Sequence, residues 1–147
     1  MSRSDEIAST LVQVQDQLYA VPCADVVSVV PLPTLHPIPG APRSLLGTFS
    51  YGARVVPVVD LARAFGDGSI GNRLSSRVVL VRAGEELVGA LVSRVVDVRR
   101  IPRPSRAIPV ARNAVVADAT LVDGRPVHFL ELAQAFPQEL RALLSAT

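Results

Sequence analysis

The chain has 147 residues, a formal net charge of +2, 49% hydrophobic residues, one cysteine and no tryptophan. That length holds one domain, or two small lobes on a shared core, and so much apolar material excludes a disordered chain. The small charge excess argues against a nucleic-acid or anionic-membrane binder, no apolar run approaches the ~18 residues of a membrane span, and one cysteine allows no internal disulfide.

The first residues, MSRSDEIAST, lack the apolar core of a signal peptide. Residues 1–9 read as polar and frayed, with 1–7 and 145–147 as tails. Leu11–Val14 and Leu18–Val21 form a hairpin around Asp16-Gln17, which Pro22–Asp25 breaks before a strand at Val26–Val30. Five prolines between Pro31 and Pro42 remove the donors that a helix or central strand needs, so this stretch is an ordered irregular loop. A short helical turn is expected at Arg43–Leu45.

Gly47–Tyr51 and Arg54–Val59 read as strands about a turn at Gly52-Ala53. Pro57 places the second strand at a sheet edge or on a bulge. Asp60 caps a short helix over Leu61–Phe65, which Gly66 ends, and a Gly/Ser-rich loop runs to Ser75. Arg77–Arg82 carries a continuous apolar run, as in a strand buried on both faces, and Glu86–Val92 returns beside it. Val95–Ile101 is a further strand and Arg103–Arg112 an irregular loop. Val115–Val122 and Arg125–Leu130 flank the hairpin dipeptide Asp123-Gly124. Glu131–Phe136 and Gln138–Leu144 are expected to be helical.

The pattern repeats. With an offset of 71, Arg54, Val56, Val58 and Val59 fall on Arg125, Val127, Phe129 and Leu130, and Asp60-Leu61-Ala62 falls on Glu131-Leu132-Ala133. With an offset of 69, Val26-Val27-Ser28-Val29 falls on Val95-Val96-Asp97-Val98. Two copies imply two similar five-stranded lobes, each near the lower size limit for a stable core, so they must pack on each other. The expected organisation is one domain over 8–140, with lobes at 31–100 and at 8–30 plus 101–140.

This order, with Gly47 followed by Val55-Val56-Pro57-Val58-Val59-Asp60-Leu61, resembles the CheW-like family of bacterial chemosensory adaptors and kinase regulatory domains. Leu18–Pro22, Ile38–Pro42 and Gly89–Val92 also match its pattern, over roughly residues 8–136. The resemblance implies a mainly β fold of two intertwined five-stranded barrels with short helices. It further implies a cytoplasmic, non-catalytic adaptor joining a chemoreceptor tip to the regulatory domain of a CheA-like histidine kinase, and recruited to receptor arrays. At the hairpin turn, where the family carries Arg-Gly, this sequence has Gly52-Ala53, with Arg54 following. A relative that binds the kinase without standard receptors is therefore the alternative.

Expected partner-binding residues are Gly47, Phe49, Tyr51, Gly52 and Arg54 on the hairpin, with Arg99 and Arg100 further on. Gly47, Phe49 and Tyr51 share one face and fill the lobe core or rim a groove. Arg54 is a partner contact or a solvated hairpin residue. Arg94, Arg99, Arg100, Arg103, Arg106 and Arg112 form a basic cluster with Asp97 as its only acid, suited to an acidic partner or simply solvated. Asp60 and Glu131 read as helix caps rather than an acid–base pair. His36 and His128 stand alone, and no metal spacing, nucleophile elbow or phosphate loop is present, so no catalytic residue, cofactor or metal is expected. A barrel that takes a small ligand or RNA between its lobes is a rival from another class, one that calls for exposed aromatics.

Overall fold

The protein is described by a computed structural model over residues 6–103, 107–111, 114–117 and 120–131. Among these residues the strands are β1 (Glu6–Val14), β2 (Gln17–Pro22), β3 (Val26–Pro31), β4 (Leu45–Tyr51), β5 (Arg54–Asp60), β6 (Arg77–Ala83), β7 (Glu86–Val92), β8 (Arg94–Pro102), β9 (Ala107–Ala111), β10 (Ala114–Ala117), β11 (Thr120–Val122) and β12 (Arg125–Glu131). One short helix, α1 (Leu61–Ala64), follows β5, and a 3-10 turn at Cys23–Asp25 separates β2 from β3.

The strands make two sheets, one in the order β3-β6-β7-β5-β4 and one in the order β8-β1-β2-β12-β10-β9, with β11 also on β12. The two orders are the same motif. In the first, β3–β6 and β6–β7 are antiparallel, β7–β5 parallel and β5–β4 antiparallel. In the second, β8–β1 and β1–β2 are antiparallel, β2–β12 parallel, and β12 antiparallel to both β10 and β11, which share one row. The second copy takes its hairpin from the start of the chain and its other strands from the end. That exchange is what intertwines the lobes.

The core follows the alternation of the strands. Leu11, Leu18, Ala20, Ile101, Val127 and Phe129 fill the second lobe. Their neighbours Val12, Val14, Val21 and Leu130 point the other way and join the larger cluster of the first lobe, which includes Val56, Val58, Leu61, Leu80 and Leu91. Strands β1, β2 and β12 are therefore buried on both faces at the lobe boundary. Val78, Val79, Leu80 and Val81 of β6 are all fully buried, as their unbroken apolar run predicts.

Asp60 is buried and acts as the expected cap: its Oδ1 accepts from the backbone N–H groups of Ala62 (2.9 Å) and Arg63 (3.2 Å). Its Oδ2 accepts from Ile70 N–H at 2.9 Å, which ties the following loop to the end of β5.

Several local expectations are corrected. Residues 6–9 are strand, paired with 99–102 of β8, and Ser9 is buried. Arg43–Leu45 is a single turn closed by Leu45 N–H on Pro42 O at 3.0 Å, with Leu45 already in β4. Pro57 lies on neither an edge strand nor a bulge. β5 sits between β4 and β7, and the β7 ladder begins one residue later, at Val58, so no β7 partner faces Pro57. The region Arg103–Arg112 contains β9, and Val115–Val122 is two strands rather than one. Glu131 ends β12. The helices expected over 132–136 and 138–144 lie outside the described residues, as do most of the expected tails.

Candidate partner-docking surface

The β4–β5 hairpin carries five of the expected contact residues, and the structure divides them. Gly47 is buried, and a Cβ there would stand 2.6 Å from the backbone oxygen of His36. Only glycine lets the proline-rich loop approach, where His36 N–H donates to Thr48 O (2.8 Å) and Thr48 N–H to His36 O (2.9 Å). This bridge covers the outer edge of β4. Phe49 is buried and Tyr51 half-buried against the first-lobe core. Gly52, Ala53 and Arg54 are exposed at the tip. Arg54 Nη2 donates to Glu85 O at 2.7 Å, so its guanidinium ties this turn to the β6–β7 turn. Val55 beside it is 71% exposed.

Arg99 and Arg100 lie on β8, in the other sheet. Asp97 is not the only acid near the basic cluster. Arg99 Nη1 meets Asp123 Oδ2 at 2.9 Å, and Arg100 Nε lies 3.9 Å from Glu6 Oε1 while its Nη2 donates to Glu6 O. The β1–β8 pairing delivers Glu6, and the β11–β12 turn delivers Asp123. Arg94 Nε donates to Gln13 Oε1 at 2.9 Å. Such surface pairs contribute little to stability, and they offset the charges of Arg99 and Arg100 locally. Arg106 and Arg112 lie outside the described residues.

A feature not legible in the sequence is a matched pair of open edges. β3 and β8 end their respective sheets, and each carries a bulge. The ladder skips Val27 between Val26 and Ser28, and it skips Val96 between Val95 and Asp97. These valines are repeat mates, so the bulge is part of the duplicated motif. A bulge turns side chains out of the regular pleat, and Val27, Val29, Val96 and Val98 are all exposed, Val98 to 61%. The described surface thus includes two edge strands presenting Val-x-Val and the exposed Gly52–Val55 tip.

Tyr19 lies at the lobe boundary. Tyr19 packs on Phe65 at a centroid distance of 5.4 Å and near His128 at 6.2 Å. Burial, then the nearby Asp67 charge, pushes its hydroxyl pKa above the ordinary value. Gln15, with φ 54°, bridges the lobes from the β1–β2 turn: its Nε2 donates to Asp67 O (2.9 Å) and its N–H to Ser93 Oγ (2.9 Å). Among the described residues no three His, Cys, Asp or Glu side chains gather as metal ligands.

A CheW-like domain model matches residues 9–139. The chain therefore belongs to the CheW-like domain family. It is 26% identical over 111 residues to the chemotaxis protein CheW of Rhizobium meliloti, covering 71% of each chain. It is 32% identical over 92 residues to the protein FrzA of Myxococcus xanthus, covering 61% of this chain and 56% of that one. In structure it is similar to the scaffolding protein TtCheW of Thermoanaerobacter tengcongensis, with a TM-score of 0.77 over 88% of this chain and 92% of that one, at 23% identity. The two-lobed β fold is thus the family's fold.

Proposed function

We propose that the chain is a non-catalytic chemosensory adaptor that couples the cytoplasmic tip of a chemoreceptor to the regulatory domain of a CheA-like histidine kinase. Membership of the CheW-like family carries this reading, supported by relatives named for chemotaxis and by a structural relative named as a scaffold. The geometry suits it: two lobes each offer an open valine-bearing edge, so two proteins can be held at once. Holding kinase and receptor together raises their effective concentration, and no chemistry by the adaptor is needed. The protein works in the cytoplasm at receptor arrays. No helix among the described residues is long and apolar enough to cross a membrane.

One observation favours a narrower partner choice. The hairpin tip at Gly52-Ala53 is uncharged, and the adjacent Arg54 is engaged with Glu85 O. A receptor that relies on an arginine at this turn finds none, which leaves kinase binding intact and restricts the receptors served. Titration of the purified chain against the kinase regulatory domain and a receptor cytoplasmic fragment, by calorimetry, tests the proposal. The expected result is binding of both on the order of micromolar Kd. Absence of kinase binding contradicts the adaptor role, whereas kinase binding without receptor binding, restored by Gly52→Arg, identifies the restricted form.

A further inference from the structure

The β1–β2, β4–β5 and β6–β7 hairpins each turn over two residues, Gln15-Asp16, Gly52-Ala53 and Gly84-Glu85. In each, the first turn residue has positive φ (54°, 60° and 66°) and the second does not. A Cβ crowds the neighbouring carbonyl in that region, so glycine is the favoured residue there. Gly52 and Gly84 follow the preference, and Gln15 departs from it. The β1–β2 hairpin also holds the place in the second sheet that β6–β7 holds in the first. Gln15 therefore stands where its repeat mate has Gly84.

Its side chain leaves its own sheet for the first-lobe loop after α1. Nε2 donates to Asp67 O at 2.9 Å and to Ser69 O at 3.3 Å. Both neighbours are acceptors, which only a donor group satisfies. Gly68 between them approaches so closely that a Cβ would stand 3.2 Å from Nε2. The backbone of Gln15 is held as well: its N–H donates to Ser93 Oγ (2.9 Å) and its O accepts from Gln13 Nε2 (2.7 Å). Ser93 N–H in turn donates to Gln13 O at 2.8 Å, and Ser93 is the single residue between β7 of the first sheet and β8 of the second. Gln15 thus ties the second-sheet hairpin both to the α1–β6 loop and to the joint between the sheets. At the mate turn the corresponding bond, Arg54 Nη2 to Glu85 O, stays within one sheet.

The lobes already share apolar contacts through Val12, Val14, Val21 and Leu130. Such contacts resist separation but are non-directional, whereas hydrogen bonds to fixed carbonyls favour one orientation.

We propose that Gln15 is a positioning residue, a clasp that fixes the angle between the lobes so that partners held on different lobes are aligned for coupling. The role rests on the adaptor reading and adds a separation of functions to it. The affinity for each partner alone does not depend on Gln15, whereas receptor-dependent stimulation of the kinase does.

The test uses Gln15→Gly, which suits the turn and removes the side chain, and Gln15→Glu, which keeps the shape but sets a carboxylate against two carbonyl oxygens. Because glycine relieves the turn, Gln15→Gly is expected to keep the thermal midpoint within a few degrees. Binding to the kinase regulatory domain and to the receptor cytoplasmic fragment is measured separately. Stimulation of the full CheA-like kinase is then measured with receptor in vesicles. A third reading is the distance distribution between spin labels at Val55→Cys and Leu121→Cys, exposed positions on different sheets, with Cys23→Ala in the background.

Both variants are expected to bind each protein alone within twofold of the unaltered chain, to lose threefold or more of the stimulation, and to broaden the distance distribution. A smaller loss of stimulation in both variants overturns the clasp and leaves the adaptor reading intact. So does an unchanged distance distribution. A loss of stimulation matched by an equal loss of affinity for one partner alone also overturns the clasp, because Gln15 is then a contact. Failure of the unaltered chain to stimulate the kinase overturns both.

Discussion

Asp60 shows how a single residue can be half legible. Its place before Leu61-Ala62 announces a helix cap, and it is one. That its second oxygen also holds Ile70 N–H was not legible, because the loop between them obeys no local periodicity. Replacing Asp60 with Ala leaves three backbone donors without their carboxylate, two of them buried together with it. The expected loss is about 3 kcal/mol in urea-monitored unfolding. Gly47 has a role that was likewise not legible: a Cβ there would meet the backbone of His36, which comes from a loop remote in the chain. Tyr19 yields a pH prediction with a definite sign. Its folded-state pKa is raised, so the phenol contributes stability that is complete below the unfolded value near 10.0 and is lost as pH rises through the folded value. Unfolding measured from pH 9 to pH 11 is expected to show a steeper loss of stability in the unaltered protein than in Tyr19→Phe. Parallel curves contradict the assignment.

At the scale of elements, strands with strong alternation or dense β-branching were legible: β6 and β7 stand almost where their valines and leucines place them. The irregular reading of Arg103–Arg112 failed at β9 because Pro109 does not prevent an edge strand. The matching segment of the first lobe, with more prolines, makes only the His36–Thr48 bridge. The bulges at Val27 and Val96 were invisible in the sequence because a bulge is a relation between two strands, and pairing partners lie far apart in the chain. Their exposed valines carry a prediction. Val98→Asp on β8 is expected to reduce binding of one partner by tenfold or more while moving the thermal midpoint by less than a few degrees, since Val98 is already 61% exposed. A large drop in thermal midpoint with unaltered binding contradicts a docking role for that edge.

At the scale of the molecule, the repeat was legible in β3 and β5 against β8 and β12, and the expected lobe of 8–30 plus 101–140 joins the two ends of the chain. In the structure β1 and β2, from the start of the chain, stand beside β12 in the second sheet. Their far faces, Val12, Val14 and Val21, complete the first-lobe core, so neither lobe buries its apolar surface alone. Such interlocking suits the proposed adaptor, because strands shared by the two cores hold the lobes together. In the proposed role this two-lobed body couples two proteins without chemistry of its own. The most direct test of that role is the autophosphorylation rate of the CheA-like kinase, measured with receptor in vesicles, with and without the purified chain. A rise of at least tenfold that requires both receptor and chain is predicted. An unchanged rate, with the chain present at saturating concentration, contradicts the account.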